Sequence, residues 1–293
     1  MSNPVRICLI GFGEVGRTLA ADLRAHGAEK IRAWDVQFAD PDSAQSQAAR
    51  DCRIEAASGP APAVTDAALV ISAVTAAQDI AAAQSVAAHL PDDALFVDLN
   101  SVSPVVKQQT AAIIEAGRGR YVEAAIMAPI APKRIASPIL LGGPHAQRFA
   151  ALARPLGFTG TEVFSEVIGQ ASAAKMCRSV IIKGMEALLT ESLLAARRHG
   201  VHETVIQSLQ NLLPGSDWHS LARYMISRSL QHGARRAEEM REVAVTVRES
   251  GLHPWMSEAT AERQQWAAPF GELANVSDLE SMLDRLLSAA AEK

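Results

Sequence analysis

The segment Gly11-Phe12-Gly13-Glu14-Val15-Gly16 stands directly after a short apolar run, Val5–Ile10, and opens a stretch of helical periodicity. Few arrangements need three glycines at this spacing between a strand and a helix. The first glycine allows a tight turn, and the second lets the backbone approach a pyrophosphate. The third lets helix and strand pack closely, and the free N–H groups at the helix start attract phosphate charge. The loop therefore predicts a nucleotide-binding strand-turn-helix, with Gly11, Phe12, Gly13, Glu14, Val15 and Gly16 as its cofactor-facing backbone.

The following chain fits that start. Val15, Leu19, Leu23 and His26 share one helical face, and Gly27 supplies a stop. Strand-like runs then recur at Ile31–Asp35, Leu69–Val74, Leu95–Leu99, Tyr121–Ile126 and Ile139–Leu141. Strands alternating with helical stretches predict an α/β Rossmann-type, doubly wound parallel sheet. From Gly169 onward strand-like runs vanish and the rest reads as helices, so the expected division is a dinucleotide-binding domain over 1–168 and an all-α domain over 169–293. The first of these helices, Gln170–His199, has no proline and ends on Arg197-Arg198-His199-Gly200. Basic residues there suit the negative end of the helix dipole, and glycine suits the cap. Its part from Val180 to Ala196 is apolar around most of its circumference, which predicts burial on several sides and a homodimer or higher homo-oligomer built on these helices.

Asp35 closes the second strand-like run, nineteen residues after Gly16. A carboxylate at that place accepts hydrogen bonds from adenosine ribose hydroxyls and repels a 2′-phosphate, which favours NAD over NADP. A solvated carboxylate at a strand end is the alternative. Arg32 is nearby, but strand alternation turns it to the opposite face. Val74 and Thr75, at the carboxyl end of the next strand, are expected to border the same crevice.

Further along stand Asp98-Leu99-Asn100-Ser101-Val102-Ser103-Pro104 and Gly169-Gln170-Ala171-Ser172-Ala173-Ala174-Lys175. With the glycine loop, and in this order, they resemble the β-hydroxyacid dehydrogenases, the 3-hydroxyisobutyrate/6-phosphogluconate dehydrogenase family, over about the first 200 residues. The resemblance implies an NAD-dependent oxidoreductase in which Asn100 and Ser101 contact substrate and nicotinamide, and Lys175 is the general acid/base. There are departures from the family pattern. The family's substrate loop reads Ala124-Ala125-Ile126-Met127-Ala128-Pro129, with Met127 where a serine is usual, and the asparagine four residues after the lysine is Ser179. Glu238-Glu239-Met240 stands where a Lys-Asp-Leu segment is usual. These changes leave the hydride-transfer machinery in place and bear on the substrate.

The residues themselves also single out Lys175. The chain has only six lysines among its 28 basic residues, so lysine is not its ordinary surface cation. Lys175 opens an otherwise apolar helix at the expected domain junction, where a cleft would form. A lysine removed from water and set near another cation gives up its proton more readily, as proton transfer from an alcohol requires. Arg178 and Ser179, three and four residues on, share its face and would bind a carboxylate or phosphate. The competing reading is an interface lysine in a salt bridge, for which Glu166 is the nearest partner in sequence.

Composition narrows the rest. A net charge of −4 with a pI near 6.1 gives no reason to expect nucleic acid or an anionic membrane surface. Cys8, Cys52 and Cys177 show no metal-ligand spacing. No apolar run approaches the twenty or so residues of a membrane span, and the N-terminal apolar run is shorter than a signal peptide core, so the expected location is cytoplasmic. His219, His232 and His253 are expected near helix ends, Arg223, Arg228, Arg235 and Arg236 on a solvated face, and Trp218 and Trp255 in core packing. The functions left standing are oxidation of a small, anionic hydroxy acid or related alcohol, reduction of an imine or aldehyde, and a nucleotide sensor without catalysis.

Overall fold

A computed structural model describes residues 5–211, 215 and 217–291. The strands are β1 (Ile7–Ile10), β2 (Ile31–Trp34), β3 (Glu55–Ala56), β4 (Leu69–Ser72), β5 (Leu95–Asp98), β6 (Arg120–Ile126), β7 (Ile139–Gly142) and β8 (Thr161–Ser165). Between them run α1 (Glu14–Ala25), α2 (Ala44–Asp51), α3 (Pro60–Val64), α4 (Asp79–Ala87), α5 (Pro104–Ala116), α6 (Ile130–Lys133) and α7 (Ala146–Ala153). Then follow α8 (Gln170–Arg198), α9 (His202–Ser208), α10 (Trp218–Glu249), α11 (Trp255–Ala267) and α12 (Leu279–Ala291).

The strands form one sheet in the order β3-β2-β1-β4-β5-β6-β7-β8. β1 to β6 are parallel to one another, β7 pairs antiparallel with β6, and β8 pairs parallel with β7, so β7 and β8 run opposite to the rest. Alternation along β1 divides its side chains between two cores. Ile7 and Leu9 join Leu69, Ile71, Leu95 and Val97 on one face, while Cys8 and Ile10 join Val70, Phe96 and Tyr121 on the other. Burial on both faces explains why β1, β4 and β5 read as continuous apolar runs. The order reverses between β1 and β4, and the crevice outside the carboxyl ends of strands at such a switch point is where ligands bind in open α/β sheets.

Two strands and one direction were not legible beforehand. β3 has two exposed residues, and β8 carries exposed Val163 and Phe164 without alternation. The reversed β7 is joined to β6 through α6, a single helical turn in place of the long crossover helix that usually links parallel neighbours.

The chain divides into two compact units, residues 1–175 and 176–293. The division falls inside α8 because the first turns of that helix are tied to the sheet. Glu123 on β6 accepts hydrogen bonds from the Gly169 and Ser172 N–H groups at 2.7 and 2.6 Å, and the Ser172 hydroxyl donates to the Val102 carbonyl. A carboxylate at a helix N-terminus satisfies donors that the helix cannot.

The second unit is helical. Its main core joins Leu189, Leu193 and Leu194 of α8 to Trp218, Met225 and Ile226 of α10 and to Met282, Leu283 and Leu286 of α12. Helix α10 bends at His232, whose φ and ψ are −126° and 15°, and the next residue, Gly233, leaves no room for a side chain against Gln264 and Ala268. Several expectations are corrected here. Arg236 is buried rather than solvated, paired with the buried Glu186 at 2.7 Å, and Arg223 donates to the Val276 carbonyl. His232 lies, as expected, at a helix end, the bend that joins the two halves of α10, where burial and then Arg228, Arg235 and Arg236 hold its imidazole down at about 4. Trp218 is in the core as expected, but Trp255 is 74% exposed and stacks on His253. A tryptophan's bulk favours burial, and this one sits at the outer start of α11, where a ring partner replaces the core.

Candidate functional site

The glycine loop lies at the switch point. Gly11 has φ +90°, and a Cβ there would meet the Ala73 carbonyl oxygen at 2.5 Å and Val74 Cγ1 at 2.9 Å. The loop therefore rests on the segment following β4. A Cβ on Gly16 would lie 2.2 Å from the Gly11 carbonyl oxygen, so this glycine allows α1 to pack on the turn. Around Gly13 there is open space, with nothing within 4 Å of a Cβ. Gly13 caps α1 without a side-chain hydrogen bond, which leaves the first N–H groups of the helix for an outside acceptor. Phe12 contributes backbone only, since its ring is buried against Phe38. Glu14 is exposed in the first turn and Val15 is half-buried. This cradle fits a dinucleotide pyrophosphate, with the Gly11–Gly16 backbone to hold it.

Asp35 follows β2 and ties the loop together. One carboxylate oxygen accepts from the Phe12 N–H at 2.7 Å and the other from the Gln37 N–H at 2.9 Å. Arg32 is turned away, bonded to Glu55 at 2.7 Å, to Asp66 at 3.2 Å and to the Pro62 carbonyl. It lines a cleft of about 450 Å³ at the amino ends of the strands, together with Arg6, Lys30, Glu55 and Asp66. Charges there pair with one another, as in Arg6–Asp66 and Arg32–Glu55, and the glycine loop lies at the opposite ends of the strands.

The chemical residues gather at the carboxyl ends of β4 and β5. Lys175 is half-buried, and its Nζ donates to Ser101 Oγ at 2.6 Å, which joins the two motifs read from the sequence. Asn100 is placed differently from a substrate contact. It is 4% exposed, its Oδ1 accepts from the Val74 N–H at 2.7 Å, and its Nδ2 donates to Ser72 Oγ at 3.0 Å and Asp79 Oδ1 at 2.5 Å. Both amide hydrogens are thus engaged, and the residue acts on the crevice through Val74. Val74 is half-buried and Thr75 exposed at the loop after β4. Met127 follows β6 and its N–H donates to the Pro138 carbonyl at 2.9 Å. Arg178 is exposed and Ser179 buried, both on α8 in the second unit.

Beneath these residues lies a polar network that sequence reasoning missed. Asp98 is fully buried and accepts from Lys107 Nζ at 2.8 Å, from the Tyr121 hydroxyl at 2.7 Å and from the Asn100 N–H at 2.9 Å. Asp79 accepts from Thr110 Oγ1 at 2.6 Å as well as from Asn100. Burial pushes the Asp79 carboxyl up to about 6, with Asp98 adding to the rise and Lys107 opposing it. Burial likewise raises Glu123, against the pull of Lys107 and the Gly169 and Ser172 N–H groups. The Tyr121 hydroxyl is raised well above its ordinary value by burial and by Asp98. One signal was available: Lys107 is as rare a residue as Lys175, in a chain with six lysines.

Residues 6–169 match the family described as the NAD binding domain of 6-phosphogluconate dehydrogenase, more than half of the chain. The chain belongs to this family. Residues 196–267 match a domain of unknown function (DUF1932). Among solved structures, a conserved hypothetical protein from Sinorhizobium meliloti 1021 is 38% identical, with a TM-score of 0.76 and 97% of each chain covered. A conserved protein of unknown function, described as structurally similar to 3-hydroxyacid dehydrogenases, is 31% identical with a TM-score of 0.70, covering 91% of this chain and 99% of its own. The fold alone is shared with the Mycobacterium tuberculosis 3-hydroxyisobutyrate dehydrogenase, at 17% identity and a TM-score of 0.74 over 97% of this chain and 99% of that one. The matched family is described as an NAD binding domain, and the Gly11–Gly16 cradle sits inside the matched residues.

Proposed function

We propose that the protein is an NAD-dependent oxidoreductase acting on a small, anionic hydroxy acid or related alcohol, with Lys175 as the proton-transfer group. The observation that carries this reading is the 2.6 Å hydrogen bond between Lys175 Nζ and Ser101 Oγ, which puts an amine and a hydroxyl together beside the Val74 loop. A bound nicotinamide would supply hydride exchange with the substrate carbon. Lys175, as the free amine, takes the proton of the carbinol hydroxyl on oxidation and returns it on reduction. Ser101 orients both the amine and the substrate oxygen, and positioning does most of the work. Arg178, exposed and three residues beyond Lys175 on α8, is the proposed partner for a substrate carboxylate. The Met127 loop is apolar where a serine is usual, which favours imine or aldehyde reduction as the second reading. A panel of hydroxy acids, alcohols, aldehydes and imines, each with NADH or NAD, tests the assignment. Dinucleotide binding with no turnover on any member would favour a sensor instead.

Preference for NAD(H) over NADP(H) is supported by the Asp35 carboxylate beside the loop and by Arg32 being held by Glu55 and Asp66. Titration of both cofactors should show tighter NADH binding, and equal or tighter NADPH binding would remove Asp35 from the ribose. The proposed assembly is a homodimer or higher homo-oligomer through α8. Ile181 and Leu188, seven residues apart on that helix, are 64% and 57% exposed, an apolar surface that a second copy would cover. Light scattering at micromolar concentration should give a mass of at least two chains. A clean monomer would end this proposal.

A further inference from the structure

We infer that Asp79 is the positioning residue of the dinucleotide crevice: its carboxylate, acting through Asn100, holds the Val74 peptide against the glycine loop, and protonation of that carboxylate weakens the hold. The inference rests on the reading of the crevice as a dinucleotide site.

The chain of contacts is short and buried. Asp79 opens α4 and is 2% exposed. Its two oxygens take one hydrogen bond each from Asn100 Nδ2 and Thr110 Oγ1. Asn100 in turn has one arrangement that satisfies all its neighbours. With Oδ1 toward the Val74 N–H and Nδ2 toward Asp79, every donor meets an acceptor. Rotated by half a turn, the amide would set its NH2 against the Val74 N–H and its oxygen against the carboxylate. The Val74 N–H, which only donates, and an ionised Asp79, which only accepts, together set which way Asn100 faces. The Val74 peptide fixed by that choice is the surface on which Gly11 rests, since a Cβ on Gly11 would strike the Ala73 carbonyl and Val74 Cγ1. Ser101, the partner of Lys175, is the next residue after Asn100.

The groups facing Asp79 account for its response to pH. Asn100 and Asp98 reach it from β5 and the turn after it, Lys107 and Thr110 from α5 and Ser72, by way of Asn100, from β4. Burial, and after it Asp98, disfavours the charged form, and Lys107 and the two hydrogen bonds favour it, leaving the group at about 6. Above that pH the bond to Asn100 is charge-assisted. Below it the bond becomes a neutral one of about half the strength, and the carboxyl can donate as well as accept.

Two substitutions separate positioning from mere packing. In D79N the carboxamide oxygen accepts from Asn100 and its NH2 donates to Thr110, so the geometry is kept without a titrating group. D79A leaves Asn100 Nδ2 and the Thr110 hydroxyl without their acceptor. Fluorescence titration with NADH and NADPH between pH 5 and 8 should show the wild-type Kd rising about fivefold as pH falls through 6. That rise should be absent in D79N, and D79A should bind at least about tenfold more weakly throughout. In parallel, hydrogen exchange at the Val74 N–H should show protection in D79N close to that of the wild type below pH 6, and protection lowered about tenfold or more in D79A. A D79N curve that keeps the wild-type rise would overturn the inference, as would unchanged Val74 protection in D79A. If D79A does not fold, the wild-type and D79N curves decide alone. If neither nucleotide binds the wild type, the dinucleotide reading fails, and Val74 exchange still decides whether Asp79 positions that peptide.

Discussion

Lys175→Ala is expected to lower kcat by about 10²–10⁴-fold while leaving NADH affinity nearly unchanged. The size follows from general acid/base catalysis, and the selectivity follows from where the residue sits. Lys175 bonds Ser101 and takes no part in the contacts that Asp35, Gly11 and Val74 make around the glycine loop. The start of α8 is anchored independently through Glu123, and alanine raises helix propensity at the site. Loss of fold is therefore not the expected route to loss of activity. Arginine should fail to restore turnover, because a guanidinium does not release its proton at accessible pH. Steady-state kinetics on the best substrate of the panel, with cofactor titration alongside, reads both quantities. An alanine variant that kept more than about a third of the wild-type kcat would exclude proton transfer of this size by Lys175.

The largest stability effect is expected at Lys107, where removal of the side chain should cost about 3–5 kcal/mol. Its ammonium is 1% exposed, pairs with the fully buried Asp98 at 2.8 Å and is the counter-charge that offsets burial at Asp79 and Glu123. Lys107→Ala thus strands buried carboxylates in a place that water does not reach. Such a loss should lower the melting temperature by roughly 10 °C in a domain of this size. The deficit should shrink in acid, with the sign set by the carboxylates. Without Lys107 the Asp79 and Glu123 carboxyls rise further, so Asp79, already at about 6, takes a proton more readily and removes an unpaired charge as pH falls. Melting curves at pH 5 and pH 8 test this. A deficit below about 1 kcal/mol at pH 8 would mean that the pair is replaceable by water and that the network does not depend on it.

Much of the outline was legible because local chemistry is strong there. Three glycines between a strand and a helix specify a turn that few other residues permit, and φ +90° at Gly11 is that requirement met. The apolar runs of β1, β4 and β5 mark strands covered on both faces. The long helix after Gly169 showed in its lack of proline, its apolar circumference and its basic, glycine-terminated end, and α8 stops at Arg198 with Gly200 at φ +73°. Ser101 and Lys175 were each visible in their own motif, though nothing in either segment says that they touch.

What the sequence could not decide is what happens between residues far apart in the chain. Asp79 reads as one more residue of an alanine-rich helix, and only the folded sheet brings its carboxylate to Asn100 and Thr110, twenty-one and thirty-one positions away. Asn100 carries a side chain suited to a ligand, yet its amide is taken up by Val74, Ser72 and Asp79. Arg236 and Trp255 make the same point from opposite sides, the charge drawn inward by Glu186 and the ring left in solvent beside His253. Residue type and spacing determined most of the elements, the glycine turn and the candidate lysine, because turn sterics and hydrophobic periodicity act over a few residues. Tertiary structure decided which polar groups became buried partners, because a hydrogen bond or ion pair between distant segments exists only once the sheet has set their register.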